Sequence, residues 1–146
     1  MTKCYLDSNI LIYLKDEHSI GFIRSREVIE KLASQNISLF VSPLCFDEFL
    51  YEFGKALRKK TPEKYFFANL ERALASILAL PHISIVNPPT DANRHAEVVS
   101  LMQTYSLRPR DAYHLLTMQS NDIDGFATFD TDFTKVFAAG LLVKAQ

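Results

Sequence analysis

Residues Cys4-Tyr5-Leu6-Asp7-Ser8-Asn9-Ile10-Leu11-Ile12-Tyr13-Leu14 set a buried strand, an acidic turn and the start of a helix end to end. Cys4, Tyr5 and Leu6 form a run too short and too apolar for an exposed strand. Ser8 or Asn9 is expected to cap a helix that begins at once. Ile10, Tyr13 and Leu14 then recur at the spacing that gives such a helix a core face. A strand passing directly into a helix is the unit from which parallel sheets are wound. It leaves Asp7 at the carboxyl end of the strand, the edge where open α/β sheets bind ligands. Taken alone, Asp7 reads as a turn or capping carboxylate. Three later stretches argue for more.

The rest of the chain repeats the alternation. Glu27 to Ala33 places Val28, Ile29, Leu32 and Ala33 on one side and charges on the other, a surface helix. Ile37 to Val41 is a second strand, and Ser42-Pro43 opens a helix, with serine as cap and proline where its missing amide does no harm. That helix runs through Cys45, Phe49, Phe53 and Leu57. A further helix follows Thr61-Pro62 with no strand between, so the two are expected to form a hairpin projecting from the sheet. Ile83 to Val86 is a third strand, and helices follow from Asp91 to Tyr105 and from Arg110 to Gln119, the second opened by Pro109. Gly125 to Thr128 reads as a fourth strand and Leu141 to Val143 as a fifth. Strands alternating with helices predict one α/β domain over residues 1–146, three layers α/β/α around a mostly parallel sheet of four to five strands.

Composition closes off several functions. Four glycines in 146 residues leave no dinucleotide fingerprint and no phosphate-cradling loop. No apolar run reaches membrane-spanning length, and no apolar signal region stands behind a basic start, so a cytoplasmic location is expected. Cys4 and Cys45 are expected to pack in the core; neither has neighbours at zinc-site spacing. A net charge of -1 gives no global pull toward nucleic acid, so such binding would need a local patch.

Four carboxylates fall at the same edge of this plan. Asp7 ends the first strand, Glu48 lies within two turns of the helix after the second, and Asp130 follows the fourth. Asp111 sits in the first turn of the helix after Pro109 and joins them if that helix starts at the same edge. Glu48 follows Cys45 and Leu44 by three and four residues, so it borders the apolar face of its helix. Gathered acids repel, and without a cation at least one takes a proton. No lysine or arginine sits at a spacing that neutralises the group, although Arg108 and Arg110 flank Asp111. Oxygen ligands of this kind suit Mg²⁺ or Mn²⁺, which bind phosphates and activate water. The ordinary readings are dipole complementarity for Asp111 and capping of Phe133 to Phe137 for Asp130 and Asp132.

Four stretches together resemble the PIN domain, most closely the VapC-type toxin ribonucleases. They are Leu6-Asp7-Ser8-Asn9-Ile10-Leu11, Ser42-Pro43-Leu44-Cys45-Phe46-Asp47-Glu48, Arg110-Asp111-Ala112-Tyr113-His114-Leu115, and Ala127-Thr128-Phe129-Asp130-Thr131-Asp132-Phe133. Each is weak alone, and the four in order span nearly the whole chain. The resemblance implies a metal-dependent endoribonuclease with Asp7, Glu48, Asp111 and Asp130 as its acidic quartet and Asp132 as rival for the fourth place. It also implies that Asn9 and Thr128 orient the acids by hydrogen bonds. A homodimer and a separate antitoxin chain belong to the same expectation.

Lys55, Arg58, Lys59, Lys60 and Lys64 gather positive charge at the hairpin tip. They suit RNA phosphates or simply the end of a helix facing water, and the two readings stand level. Arg108 and Arg110 are better placed for a phosphate, because Asp111 ties them to the acids. His114, three residues after Asp111, shares its helix face and could approach the metal centre or donate to a substrate oxygen, with a satisfied, half-buried side chain favoured. Tyr113, Phe66 and Phe67 are candidates for stacking on bases, with core or dimer packing favoured. Two other readings compete. A haloacid dehalogenase-type phosphatase needs a second aspartate where this chain has Asn9. A binding module of the same fold, catalytically weak or inactive, is expected to lack one of the acids, and none is missing.

Overall fold

Three wholly buried residues, Cys4, Tyr5 and Leu6, make β1 (Lys3–Leu6) the centre of the sheet. Burying side chains of this size stabilises by about 1.5–3 kcal/mol each, and only an interior strand can cover both faces of such a run. The computed structural model describes residues 1–146. It places β1 between β2 (Ser38–Val41) and β4 (Gly125–Ala127), with β3 (Ile83–Ile85) and β5 (Val143–Ala145) at the edges. All four pairings are parallel, with Tyr5 opposite Phe40 on one side and Phe126 on the other.

Each crossover carries helices. α1 (Ser8–Lys15) and α2 (Gly21–Ser34) lead from β1 to β2, and α3 (Pro43–Arg58) and α4 (Glu63–Leu78) from β2 to β3. α5 (Ala92–Tyr105) and α6 (Pro109–Ser120) return the chain to β4, and α7 (Thr134–Ala138) leads to β5. Crossovers between parallel strands are right-handed, so the reversal of direction after β3 puts α5 to α7 on the face opposite α1 to α4. The aromatic contacts agree. Tyr5 and Phe126 meet His114 of α6, Phe133 and Phe137. The three-layer α/β/α plan holds, with a sheet wholly parallel and five strands wide. The order reverses between β1 and β4, which opens a crevice at their carboxyl ends.

Details of the elements differ from expectation for local reasons. α2 begins at Gly21, well before Glu27. β4 ends at Ala127, so Thr128 is the first residue beyond the strand. The fifth strand lies two residues later than Leu141–Val143, because the Leu141 amide closes α7 on the Val136 carbonyl and Leu142 turns into the core. α3 and α4 do pair as a hairpin. Arg58 closes it, 3.2 Å from the Glu63 carboxylate and 4.0 Å from the centre of the Phe66 ring.

Candidate functional site

Asp7 occupies the N-cap position of α1, yet its side chain caps nothing. The expected cap from Ser8 or Asn9 is also absent; the helix starts at Ser8, and both side chains turn to Asp7 instead. Ser8 Oγ donates to Asp7 Oδ1 at 3.3 Å, and Asn9 Nδ2 donates to Asp7 Oδ2 at 2.9 Å. Thr128 Oγ1 donates to the same Oδ2 at 2.5 Å, and Asn9 Nδ2 also reaches Thr128 Oγ1 at 3.2 Å. Asn9 Oδ1 in turn accepts the Phe129 amide, and Thr128 Oγ1 the Asp130 amide. Asn9 and Thr128 therefore stitch the end of β1 to the end of β4 and fix one carboxylate between them. An aspartate in the first turn of a helix ordinarily serves the helix; this one is held for something else.

Glu48 comes from the second turn of α3 and is only 11% exposed. Its oxygens are shared between two cations of α6. Arg110 Nε lies 3.2 Å from Oε1 and His114 Nε2 lies 3.2 Å from Oε2. The expectation that no basic residue neutralises the acids is thus corrected. Arg110 and His114 are remote from Glu48 in sequence, and only the meeting of α3 with α6 brings them to it. One donor atom each from Asp7, Glu48 and His114 lie within 4.8 Å of one another.

His114 is 2% exposed, buried rather than half-buried, so it cannot serve as a surface contact to substrate. Both ring nitrogens are occupied, Nε2 by Glu48 and Nδ1 by the Tyr5 hydroxyl at 2.9 Å. Tyr5 is the hub of a buried polar network absent from the expectations above. Its oxygen also lies 2.5 Å from Ser42 Oγ and accepts from Cys45 Sγ at 3.1 Å. Ser42 sits at the N-cap of α3 but spends its hydroxyl on Tyr5 and caps nothing. The available signal was Tyr5 itself, since a tyrosine in a fully buried strand needs a partner for its hydroxyl.

The titration behaviour follows from this wiring. Burial raises Asp7 above the usual carboxylate range, and the Glu48 charge adds to that, against the Thr128 hydrogen bond and His114. Burial also raises Asp111, reinforced by the charges of Asp130, Asp132 and Asp7, against the opposing pull of His114. Glu48 moves the other way. Burial pushes it up, but His114, Ser8 and Arg110 together hold it below its ordinary value. Burial would lower His114, yet the Cys45 sulfur and the Glu48 carboxylate raise it from 6.5 to about 10. Glu48 is paired with Arg110 and His114, whereas Asp7 and Asp111 form no ion pair.

The remaining expected residues separate. Asp111 lies in the first turn of α6, within the field of Asp7, Asp130 and Asp132. Asp130 is half-buried and its Oδ1 accepts the Asp132 amide at 3.0 Å, while Asp132 is exposed. Neither caps α7, whose N-cap is Phe133. Arg108 is exposed at the start of α6 and forms no ion pair. Of the hairpin cations, Arg58 is committed to Glu63 and Phe66, Lys55 lies 5.9 Å from the centre of the Tyr51 ring, and Lys59 is exposed. Phe66 is buried and so unavailable to a base, whereas Phe67 is exposed.

The comparisons with known proteins agree with this architecture. The chain is 29% identical to ribonuclease VapC2 of Methanocaldococcus jannaschii, over 92% of this chain and 89% of that one. Its fold is similar to that in the crystal structure of VapBC2 from Rickettsia felis bound to a promoter DNA fragment. The TM-score there is 0.65 at 15% identity, covering 97% of this chain and 96% of that one. It is also similar to Mycobacterium tuberculosis VapC20, described as a sarcin-ricin loop cleaving toxin, with TM-score 0.61, 16% identity and coverage of 94% and 95%. Residues 4–138 match the PIN domain, and with Asp7 and the acids of α3, α6 and the β4 turn all inside that span, the chain belongs to the PIN domain family.

Proposed function

We propose that this chain is a divalent-metal-dependent endoribonuclease that hydrolyses RNA phosphodiester bonds and is paired with an antitoxin protein. The observation that carries the reading is unspent negative charge. Asp7 and Asp111 are both raised by burial and by neighbouring carboxylates, against the opposing field of His114 and with no ion pair of their own, at the crevice where the strand order reverses. The donor set is hard oxygen, since both nitrogens of His114 are taken, and that chemistry fits Mg²⁺ or Mn²⁺. Asp7, Glu48, Asp111 and Asp130 would hold the ion, with Asp132 in an outer position. When bound, the ion supplies Lewis-acid polarisation of the phosphate and a nucleophilic water near neutral pH.

The protein's own groups do the rest. Asn9 and Thr128 keep Asp7 in one orientation, which is how partners behind a metal ligand act. Arg110 and His114 balance Glu48, and Arg108 stands free to meet a flanking phosphate. The antitoxin enters from resemblance, supported by the VapBC2 assembly among the similar structures, and a second copy of the chain from the family resemblance alone.

Cleavage of a fluorogenic RNA is expected in Mg²⁺, to fall by at least about 10²-fold in EDTA, and to return with Mn²⁺. Activity undiminished in chelator would overturn the metal mechanism. A second comparison assigns the fourth acid. Asp130→Ala is expected to slow single turnover and weaken metal binding more than Asp132→Ala, because Asp130 is half-buried beside Thr128 and Asp132 faces water. Rates over a Mg²⁺ titration decide it; the reverse ranking on both measures moves the site one position along the turn.

A further inference from the structure

A cavity of about 470 Å³ lies beside the acids and none of the roles above uses it. It opens between the first turns of α3 and α6 and the loop after β3. Pro43, Leu44, Pro88 and Tyr113 give it apolar walls, and Asp47 and Arg110 are its two charged residues. Both charges belong to the neighbourhood of the site. Asp47 immediately precedes Glu48, and Arg110 is the residue whose Nε pairs with Glu48 at 3.2 Å. The cavity therefore borders the acidic site through Arg110, which lines it and pairs with Glu48.

Its aromatic wall is set in advance. The Tyr113 hydroxyl lies 3.5 Å from His95 Nδ1, and the two rings are 5.8 Å apart at 51°. His95 Nε2 in turn lies 2.7 Å from the Pro89 carbonyl, which can only accept. Nε2 therefore donates to Pro89, and Nδ1 faces the Tyr113 hydroxyl. One histidine ties the α6 wall to the Pro88-Pro89 wall facing it. Asp47 carries no ion pair, and Arg110 pairs with no carboxylate other than Glu48.

Flat apolar walls, one fixed aromatic ring, one carboxylate and one guanidinium describe a receptor for a single heteroaromatic ring with polar edges. Unpaired bases are recognised in this way, by stacking on an aromatic face and by hydrogen bonds at the edge. The size agrees, being within the range of small-ligand sites; an entire helix, about 10 Å across, would not enter. The geometry points to this cavity as a subsite for one unpaired nucleobase of the RNA, adjacent to the phosphate that is cut. Tyr113 is the stacking platform, Asp47 accepts from the base's N–H groups, and Arg110 donates to its ring nitrogen or carbonyl. The inference rests on the ribonuclease reading and adds where the enzyme reads its substrate.

The test walks a single abasic nucleotide through a short RNA that the wild-type protein cleaves in Mg²⁺. Wild type is expected to lose about 10-fold in kcat/KM at one position beside the cut, mostly through KM, as for loss of one stacked base. Tyr113→Ala is expected to lose a similar factor on intact RNA and nothing more on the abasic substrate; Tyr113→Phe keeps the stack and most of the activity. Asp47→Asn, on an exposed side chain outside the core, is expected to reorder the preference among the four bases at that position, read as the ratios of their kcat/KM values. It serves even if Tyr113→Ala fails to fold. A flat abasic walk on an RNA that is cleaved overturns the subsite and leaves the ribonuclease reading standing. Additive losses in Tyr113→Ala overturn it too, as does a changed sedimentation mass with the walk unaltered, which would mean that a second copy covers the cavity. Absence of cleavage in any divalent ion removes both readings.

Discussion

Replacing Asp7 by asparagine is expected to abolish cleavage while raising the thermal midpoint of the metal-free protein by a few degrees. The two effects have one cause. Asp7 is 9% exposed and its charged form is opposed by burial and by Glu48. For a carboxyl whose folded-state value is raised, stability is fully present below the unfolded value and is lost as pH rises through the folded one. In the metal-free protein, charging Asp7 therefore works against the fold as pH rises. Asparagine keeps an oxygen to accept from Thr128 and Asn9 and turns an N–H toward Glu48, so the local bonds survive and the repulsion goes. Mg²⁺ is expected to raise the wild-type midpoint and leave the variant unmoved, because only a ligand that binds the folded state stabilises it. Activity should fall by more than the roughly 10–100-fold that an outer partner costs. A variant that melts far below wild type without metal would make Asp7 a structural residue.

Glu48 is expected to behave in the opposite way. It is the counter-charge of a buried imidazolium, and removing one partner of a buried pair costs about 3–5 kcal/mol. Glu48→Ala should lower the midpoint by roughly 10 °C in a chain of this size. Glu48→Gln keeps the shape and removes the charge, and its signature is in pH. His114 is raised from 6.5 to about 10, so its contribution is complete below about 6.5 and is lost as pH climbs toward 10. Wild type is expected to lose stability over that alkaline interval, and Glu48→Gln to show a flatter profile with the imidazole titrating nearer neutrality by NMR. A double-mutant cycle with His114→Gln should give a coupling of about 0.5–3 kcal/mol. Additive effects would mean that the two side chains merely adjoin.

The contrast between these residues marks what could be read from the chain and what could not. Asp7, Glu48 and Asp130 were legible because strand and helix patterns place them at junctions on one edge, and position along an element is a local property. Asp111 needed the direction of α6, which local patterning leaves open. Arg110 as the partner of Glu48 was illegible, since the pairing depends on how two helices from opposite layers meet. The same holds for Ser42, which stands at the N-cap of α3 and gives its hydroxyl to Tyr5 across the fold. Ser8, by contrast, lies one residue inside α1 and turns to its neighbour Asp7. The end of the fifth strand slipped for a comparable reason, because Leu142 found the core from a turn.

Tyr5 also has a mechanical meaning. Its oxygen joins the central strand to α3 through Ser42 and Cys45 and to α6 through His114, so both walls of the crevice hang from one atom of β1. Spreading the walls would strand buried polar groups at about 1–3 kcal/mol each. The crevice thus has a fixed gauge, set by the core rather than by a moving loop. A ligand that enters must conform to that width, and a flexible single strand does so far more readily than a paired, rigid one.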